Sequence, residues 1–484
     1  MDITRRDFIN GIALGVTAGG TLSPLELLAT INPAAYPPEL AGLRGNHPGS
    51  FEVAHALARE GRSWPRPEMQ TDDVYDLVVV GGGISGLSAA FMFRQKAGPG
   101  ARILVLDNHD DFGGHAKRNE YTVDGKTVIG YGGSQSIDTP SSYSKAAAAL
   151  LRDIGIDTEP FYEWFDRKYF SNRGLARGVY FSRERYGQDS VNPDALRAYD
   201  GERADDPARV IEDYPMSEAA KQSFVRLLTE PRDYLPGMDR NEKIALMRQV
   251  SYSDYMRKYV GAHEEVIAFC RDRLRGLWGF GFDALSALEG ARYDMPGTEH
   301  LDYSDAPTAR EEFDEPYIFH FPDGNASIAR ALVRQLVPTA VSGEQSMEGL
   351  VAARVDYEQL DRRSNAARVR LNSTAIDVRH VEGKSAVDVT YVHHGSAYRV
   401  RGKHAILACY NHMVPHLCPD LPKVQADAIN IAEKIPLAYI NIVLRNSKSF
   451  ENLGYHAFHV PQTVLMHSFG LDFPVSMGEY QFAR

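Results

Sequence analysis

One stretch restricts the fold more than any other: Val74 to Asp107, VYDLVVVGGGISGLSAAFMFRQKAGPGARILVLD. Leu77 to Val80 form a short apolar run after Tyr75-Asp76, the pattern of a central parallel strand covered on both faces. Gly81, Gly83 and Gly86 follow at G-x-G-x-x-G spacing. Gly81 permits a tight turn, Gly83 lets backbone approach a pyrophosphate, and Gly86 lets the next helix lie close on the strand. That helix begins at Ile84 and Ser85, whose free N–H groups and positive dipole end suit phosphate oxygens. A second apolar strand, Ile103 to Leu106, ends at Asp107, placed to accept from both ribose hydroxyls. Strand, glycine turn, helix and acid in this order predict a dinucleotide-binding unit.

At 484 residues the chain can form two or three domains with full cores. A net charge of −11 argues against a nucleic-acid surface and mildly favours cationic ligands. The cysteines, Cys270, Cys409 and Cys418, are too few for a disulfide framework and form no C-x-x-C metal pair. No apolar run reaches the roughly 18 residues of a membrane span. Thr4-Arg5-Arg6-Asp7-Phe8-Ile9 is a twin-arginine pattern before a mildly apolar region, which predicts export to the periplasm after folding around a cofactor.

The expected organisation is a twin-arginine signal region (1–35), an N-terminal arm (36–72) and the first part of the dinucleotide domain (73–145). A mainly helical substrate or cap domain (146–318) comes next. A return to the dinucleotide domain with a small sheet (319–412) and further substrate domain (413–484) complete the chain. In the arm, His47 lies in a loop beside Pro48-Gly49 and His55 on a short helix. They are either ordinary surface and half-buried histidines or ligands brought together on haem or metal. After Asp107, the pair Gly113-Gly114 and, beyond a hairpin turning at Asp124-Gly125, the pair Gly132-Gly133 suggest backbone packed along an extended flavin dinucleotide. The alternative is two ordinary turns. Aromatic residues of the helical region read mostly as core, although a tunnel for a flexible cation draws on the same residue types. The loop Phe319 to Asn325 delivers a helix, Ala326 to Leu336, and strands follow, the last at Ala405 to Cys409 and Ala438 to Leu444.

The glycine motif, Asp107, Gly113-Gly114-His115 and the strand Ala405-Ile406-Leu407-Ala408 resemble the flavin-dependent amine oxidase superfamily. The segments GLRGNHPGSFEVAH, FGGHAKRNEY, GGSQSI, FHFPDGNASIARALV, LNSTAIDV and ILACYN resemble the bacterial periplasmic spermidine dehydrogenases within it. The fold class implied is α/β: a Rossmann-like FAD-binding domain of the two-dinucleotide-binding-fold type, a mixed α+β substrate domain and a short N-terminal arm. The resemblance adds Asn108, His115, Ser134, Ile376 and Ala408 to the expected cofactor contacts. It also implies haem b on the N-terminal segment, with His47 and His55 as candidate ligands. A second glycine-containing flavin segment, expected near the C-terminal end, is not found before Arg484, so the chain reads as truncated.

The implied activity is FAD-dependent oxidation of a polyamine C–N bond, with electrons passing to haem or another periplasmic acceptor. No catalytic side chain is assigned, because the cofactor carries the hard step and the protein orients the substrate. Glu120 is a candidate for a substrate ammonium, against the plainer reading of a salt bridge. Two alternatives stand beside this: a truncated, non-catalytic flavin-binding protein, and a flavin dehydrogenase or desaturase of an apolar substrate.

Overall fold

The computed structural model describes residues 36–72, 74–196, 206–299, 315–463 and 466–482. The twin-arginine pattern at Arg5 and Arg6 lies outside them.

Strand β1 (Tyr75–Val80) sits inside a six-stranded sheet. It is flanked in parallel by β2 (Ile103–Leu106) and by β10 (Ser396–Leu407), and β2 pairs in parallel with β7 (Ala367–Arg370). Beyond β10 the sheet turns antiparallel through β9 (Val387–His393) and β8 (Ser373–His380). Both faces of β1 are covered, as its uninterrupted apolar run requires. Leu77 and Val79 pack into a core with Leu87, Ile103, Ala329 and Leu332, whereas Val78 and Val80 face Leu104, Val389 and Val400. The strand expected at Ala405 to Cys409 is the end of one longer strand, Ser396 to Leu407, and its residues Ala405 to Leu407 are half-buried.

Helix α1 (Glu52–Ala58) belongs to the arm and packs on β8. Between β1 and β2 runs α2 (Ile84–Ala97), against which α3 (Ala326–Leu336) lies. The hairpin of β3 (Arg118–Val123) and β4 (Lys126–Tyr131) turns through Asp124 and Gly125, both at positive φ, as a two-residue turn demands.

A second layer combines short helices with a four-stranded sheet in the order β12-β11-β5-β6. Strands β5 (Ala176–Phe181) and β6 (Ser190–Pro193) come from the mainly helical stretch of sequence. Strands β11 (Tyr455–His459) and β12 (Ser468–Gly470) come from the far end of the chain, β11 joining β5 in parallel. Helices here start where side chains satisfy the free N–H groups of the first turn. Ser217 accepts from Ala220 N, and Asp239 and Glu242 form a reciprocal capping box. Ala438 to Leu444 departs from expectation: it joins no strand ladder, and Ile440 and Ile442 are exposed.

Arg273 and Asp194 stitch this layer together by a two-pronged ion pair at 2.6 and 2.8 Å, with both side chains 5% exposed. Burial pushes the Asp194 carboxyl pKa up, but the Arg273 charge and hydrogen bonds outweigh it and hold it below the usual range. The ion pair's stabilisation is therefore present above the ordinary aspartate pKa and is lost as pH falls through the lowered value. Asp194→Ala leaves Arg273 buried and unpaired, so denaturant unfolding at neutral pH should show a loss of about 3–5 kcal/mol. A loss well under 1 kcal/mol would mean that water replaces the carboxylate.

Candidate dinucleotide and substrate site

Three segments converge where β1 ends. Gly81, at φ +110°, has its Cα so close to the end of β10 that an added Cβ would lie 2.5 Å from the Ala408 carbonyl oxygen. A Cβ on Gly86 would collide with the carbonyl oxygen of Gly81. The spacing of these two glycines thus answers to the protein's own packing. Gly83 differs: its backbone is extended, at φ −73° and ψ 177°, and an added Cβ would meet nothing closer than Gly114 Cα at 3.6 Å. Internal packing therefore gives no reason for glycine at 83, and close approach of a ligand does.

Gly83 is also the N-cap of α2 and offers no side chain to the N–H groups of Ile84, Ser85 and Gly86. These donors, at the positive end of a 14-residue helix, form an anion cradle, with Ser85 exposed at its rim. Asp107, 5% exposed, lies directly beneath. One of its oxygens accepts from Gly82 N at 2.6 Å, and the other from His109 N at 2.8 Å. Burial raises its pKa, but the His109 hydrogen bond and the charges of His109 and Lys117 prevail and keep it ionised. His109 Nδ1 also lies 3.0 Å from the second oxygen, so three of the roughly four acceptor positions are engaged and one remains for a ribose hydroxyl. Asn108 donates to the Ser50 carbonyl and fastens the arm to this loop.

The cradle continues along the chain. Gly113 N donates to Gly82 O at 2.8 Å, and Gly83 and Gly113 form a parallel bridge. Gly132 N donates to Lys117 O at 2.7 Å, and Gly133 sits over the backbone of the exposed His115. Ser134 then receives the loop before α3: its carbonyl accepts from Asn325 N at 3.1 Å, and its hydroxyl from Asn325 Nδ2 at 2.9 Å. Gly81 thus abuts Ala408, Gly83 abuts Gly113 and Gly114, and Gly132 and Gly133 abut Lys117 and His115. The side chain of Ile376 packs with Val53 and Val392 under α1, and its backbone lies at an irregularity of the β8–β9 ladder.

The remaining candidates are engaged elsewhere. Glu120 is held by Arg118 at 2.6 Å, and Arg118 also reaches Asp323 at 3.2 Å; this is the salt bridge of the plainer reading. His47 has both ring nitrogens in use, Nδ1 against Arg44 O at 2.6 Å and Nε2 against Asp110 at 3.2 Å. His55 rests on Phe51 with ring centroids 5.0 Å apart. Among the described residues, no group of three or more His, Cys, Asp or Glu is arranged to hold a metal ion, and no helix is long and apolar enough to cross a membrane. Burial pushes the Cys409 thiol up to about 11, so it is un-ionised at neutral pH.

The sequence pattern gave no sign of several residues the structure brings to the site. Lys117 donates to the Asp111 and Phe112 carbonyls, which fixes the turn carrying Gly113. Tyr131, His320, Tyr439 and Phe473 form a continuous aromatic group beside Gly132. They come from distant parts of the chain, and no local pattern links them.

Residues 79–154 match a family described as an NAD(P)-binding Rossmann-like domain. The chain is 38% identical over 74 residues to the mitochondrial electron transfer flavoprotein-ubiquinone oxidoreductase of Caenorhabditis elegans, an alignment covering 14% of this chain and 12% of that protein. A solved structure of a CLA-producing fatty acid isomerase from P. acnes aligns over 74% of this chain and 63% of its own, at 12% identity and a TM-score of 0.36. The chain carries a Rossmann-like dinucleotide-binding domain.

The two kinds of glycine predict opposite behaviour. Gly83→Ala should unfold within about 1 kcal/mol of the parent while its dinucleotide affinity falls about tenfold or more. Gly86→Ala should lose at least about 1–3 kcal/mol of stability through overpacking. Denaturant titration and calorimetric binding separate the two; equal binding by Gly83→Ala would remove the ligand-approach argument.

Proposed function

We propose that the chain is a flavoprotein oxidoreductase that holds FAD along the glycine cradle and oxidises an amine of the polyamine class. The observation carrying this reading is the length of the cradle. A single glycine turn serves one nucleotide half, whereas here three glycine segments, at 83, 113–114 and 132–133, are hydrogen-bonded or packed in series. That arrangement suits an extended dinucleotide whose flavin end reaches the aromatic group around Tyr131. The flavoprotein relative and the resemblance of the sequence segments both favour FAD over a nicotinamide.

The chemistry FAD supplies when bound is acceptance of a hydride from the amine α carbon, giving an imine that water hydrolyses to an aldehyde and a shorter amine. The chain's residues bind and position. Backbone donors at Ile84 and Ser85 would hold the pyrophosphate, Asp107 the ribose, and the Gly132–Ser134 turn the flavin half. His320 is buried between Tyr131 and Phe473, and burial pushes its pKa down to about 4, so it is neutral at pH 7. A neutral imidazole there does not repel an approaching ammonium. His47 Nδ1 faces the Arg44 carbonyl, the arrangement a ligating histidine uses, and its Nε2 would have to leave Asp110 to bind haem iron. Electrons would leave through such a haem or to another acceptor, which a twin-arginine route would place in the periplasm.

Purified chain mixed anaerobically with spermidine should lose its flavin absorbance and regain it when an acceptor is added. A flavin band that persists with every amine but bleaches with an apolar substrate would move the reading to a dehydrogenase or desaturase. A chain that takes up no FAD would overturn it altogether.

A further inference from the structure

Lys117, immediately before β3, is only 7% exposed, a rare situation for a lysine. Its ammonium donates to the carbonyls of Asp111 at 2.7 Å and Phe112 at 3.3 Å. Among the described residues it forms no ion pair, so neutral oxygens alone receive a fully charged group taken out of water. A methionine of similar length would fill the same space without that desolvation. What the ammonium adds is its hold on two carbonyls.

Those carbonyls lead into the second glycine segment. Gly113 N donates to Gly82 O at 2.8 Å, and Gly113 bridges Gly83 at the start of α2. The main chain of Lys117 holds the third segment. Gly132 N donates to the Lys117 carbonyl at 2.7 Å, and a Cβ on Gly132 would lie 2.8 Å from the Lys117 Cβ. Lys117 thus grips the turn beside the helix N-terminus through its side chain and the turn beside Tyr131 through its backbone. One residue ties the two turns to each other.

We propose that Lys117 is a positioning residue that sets the spacing between the two halves of the cofactor site, so that a dinucleotide is held at both ends at once. The inference rests on the reading of the glycine segments as one dinucleotide cradle and names the residue that joins them. A dinucleotide is two ligands on one linker. Once one half is seated the other binds intramolecularly, and the gain is lost when the spacing of the two sites no longer matches the linker. A contact to one half contributes to that half alone, whereas a change of spacing is felt only by the joined molecule. Among the described residues, Lys117 hydrogen-bonds neither to the first N–H groups of α2 nor to Asp107, so its loss acts through spacing.

Three substitutions separate the parts of this role. Lys117→Met keeps the length and removes the hold on the Asp111 and Phe112 carbonyls. Lys117→Arg keeps a charged donor for them. Gly132→Ala leaves the ammonium intact and pushes the third segment away from the Lys117 Cβ.

The test is calorimetric titration of the cofactor-free full chain with FAD, with ADP and with FMN, on the parent and the variants. Lys117→Met should bind FAD about tenfold or more weakly, while ADP and FMN bind within about twofold of the parent. Lys117→Arg should recover most of the FAD affinity. A lysine with a merely structural role would weaken all three ligands together. Should Lys117→Met not fold, Gly132→Ala decides the question, since it must show the same loss confined to FAD. Equal FAD affinity in parent and variant, or a loss for either half as large as that for FAD, overturns the spacing role while the flavin reading stands. If the parent takes NAD in place of FAD, the flavin reading falls, and the same comparison with NAD, ADP and nicotinamide mononucleotide decides the spacing role. A parent that binds no dinucleotide overturns both.

Discussion

The contact on which the rest depends is between two glycines, the Cα of Gly86 lying on the carbonyl of Gly81. No side chain larger than hydrogen fits at Gly86, so α2 lies as near to β1 as backbone allows. The consequence is directional. With α2 so close, its first N–H groups open at the C-terminal edge of the parallel strands, where β2 delivers Asp107 and β10 delivers Ala408. Ligands of open α/β sheets bind at this edge because strand ends and helix N-termini meet there.

From that contact the site grows outward by backbone rather than by side chains. Gly82 receives Gly113, Lys117 receives Gly132, and Ser134 receives Asn325. Each junction places another helix or hairpin against the last without introducing bulk. Charged side chains brace this surface from behind. Arg118 ties Glu120 to Asp323 and donates to the Val351 carbonyl at 2.8 Å, and Asp323 in turn accepts from Ser327 at 2.6 Å. These groups are buried and mutually paired, which fits a positioning frame better than a substrate contact. His320 lies on the aromatic side, between Tyr131 and Phe473.

The dinucleotide half was legible because its signals are local. An apolar run, three glycines and a terminal acid fix strand, turn and helix within one stretch, and Asp124-Gly125 fixes the hairpin through its backbone torsions. The helix Ala326 to Leu336 was legible from its periodicity. What escaped depends on partners far away in the chain. Strands β5 and β6 are strands because β11 pairs with β5, and nothing near Ala176 announces that. Ala438 to Leu444 has the composition of a strand yet finds no ladder, since Asn441 and Tyr439 fasten it to the hairpin by side chains. The side chain of Ile376 packs under α1, a partner that its own strand does not announce.

The central claim is that the series of glycine segments holds one whole flavin dinucleotide. The direct measurement is cofactor stoichiometry: the folded chain is saturated with FAD or with NAD, freed of excess, denatured, and the released nucleotide identified and counted against protein. The account predicts one FAD per chain and no retained NAD. Retention of NAD in place of FAD, or of neither, would contradict it.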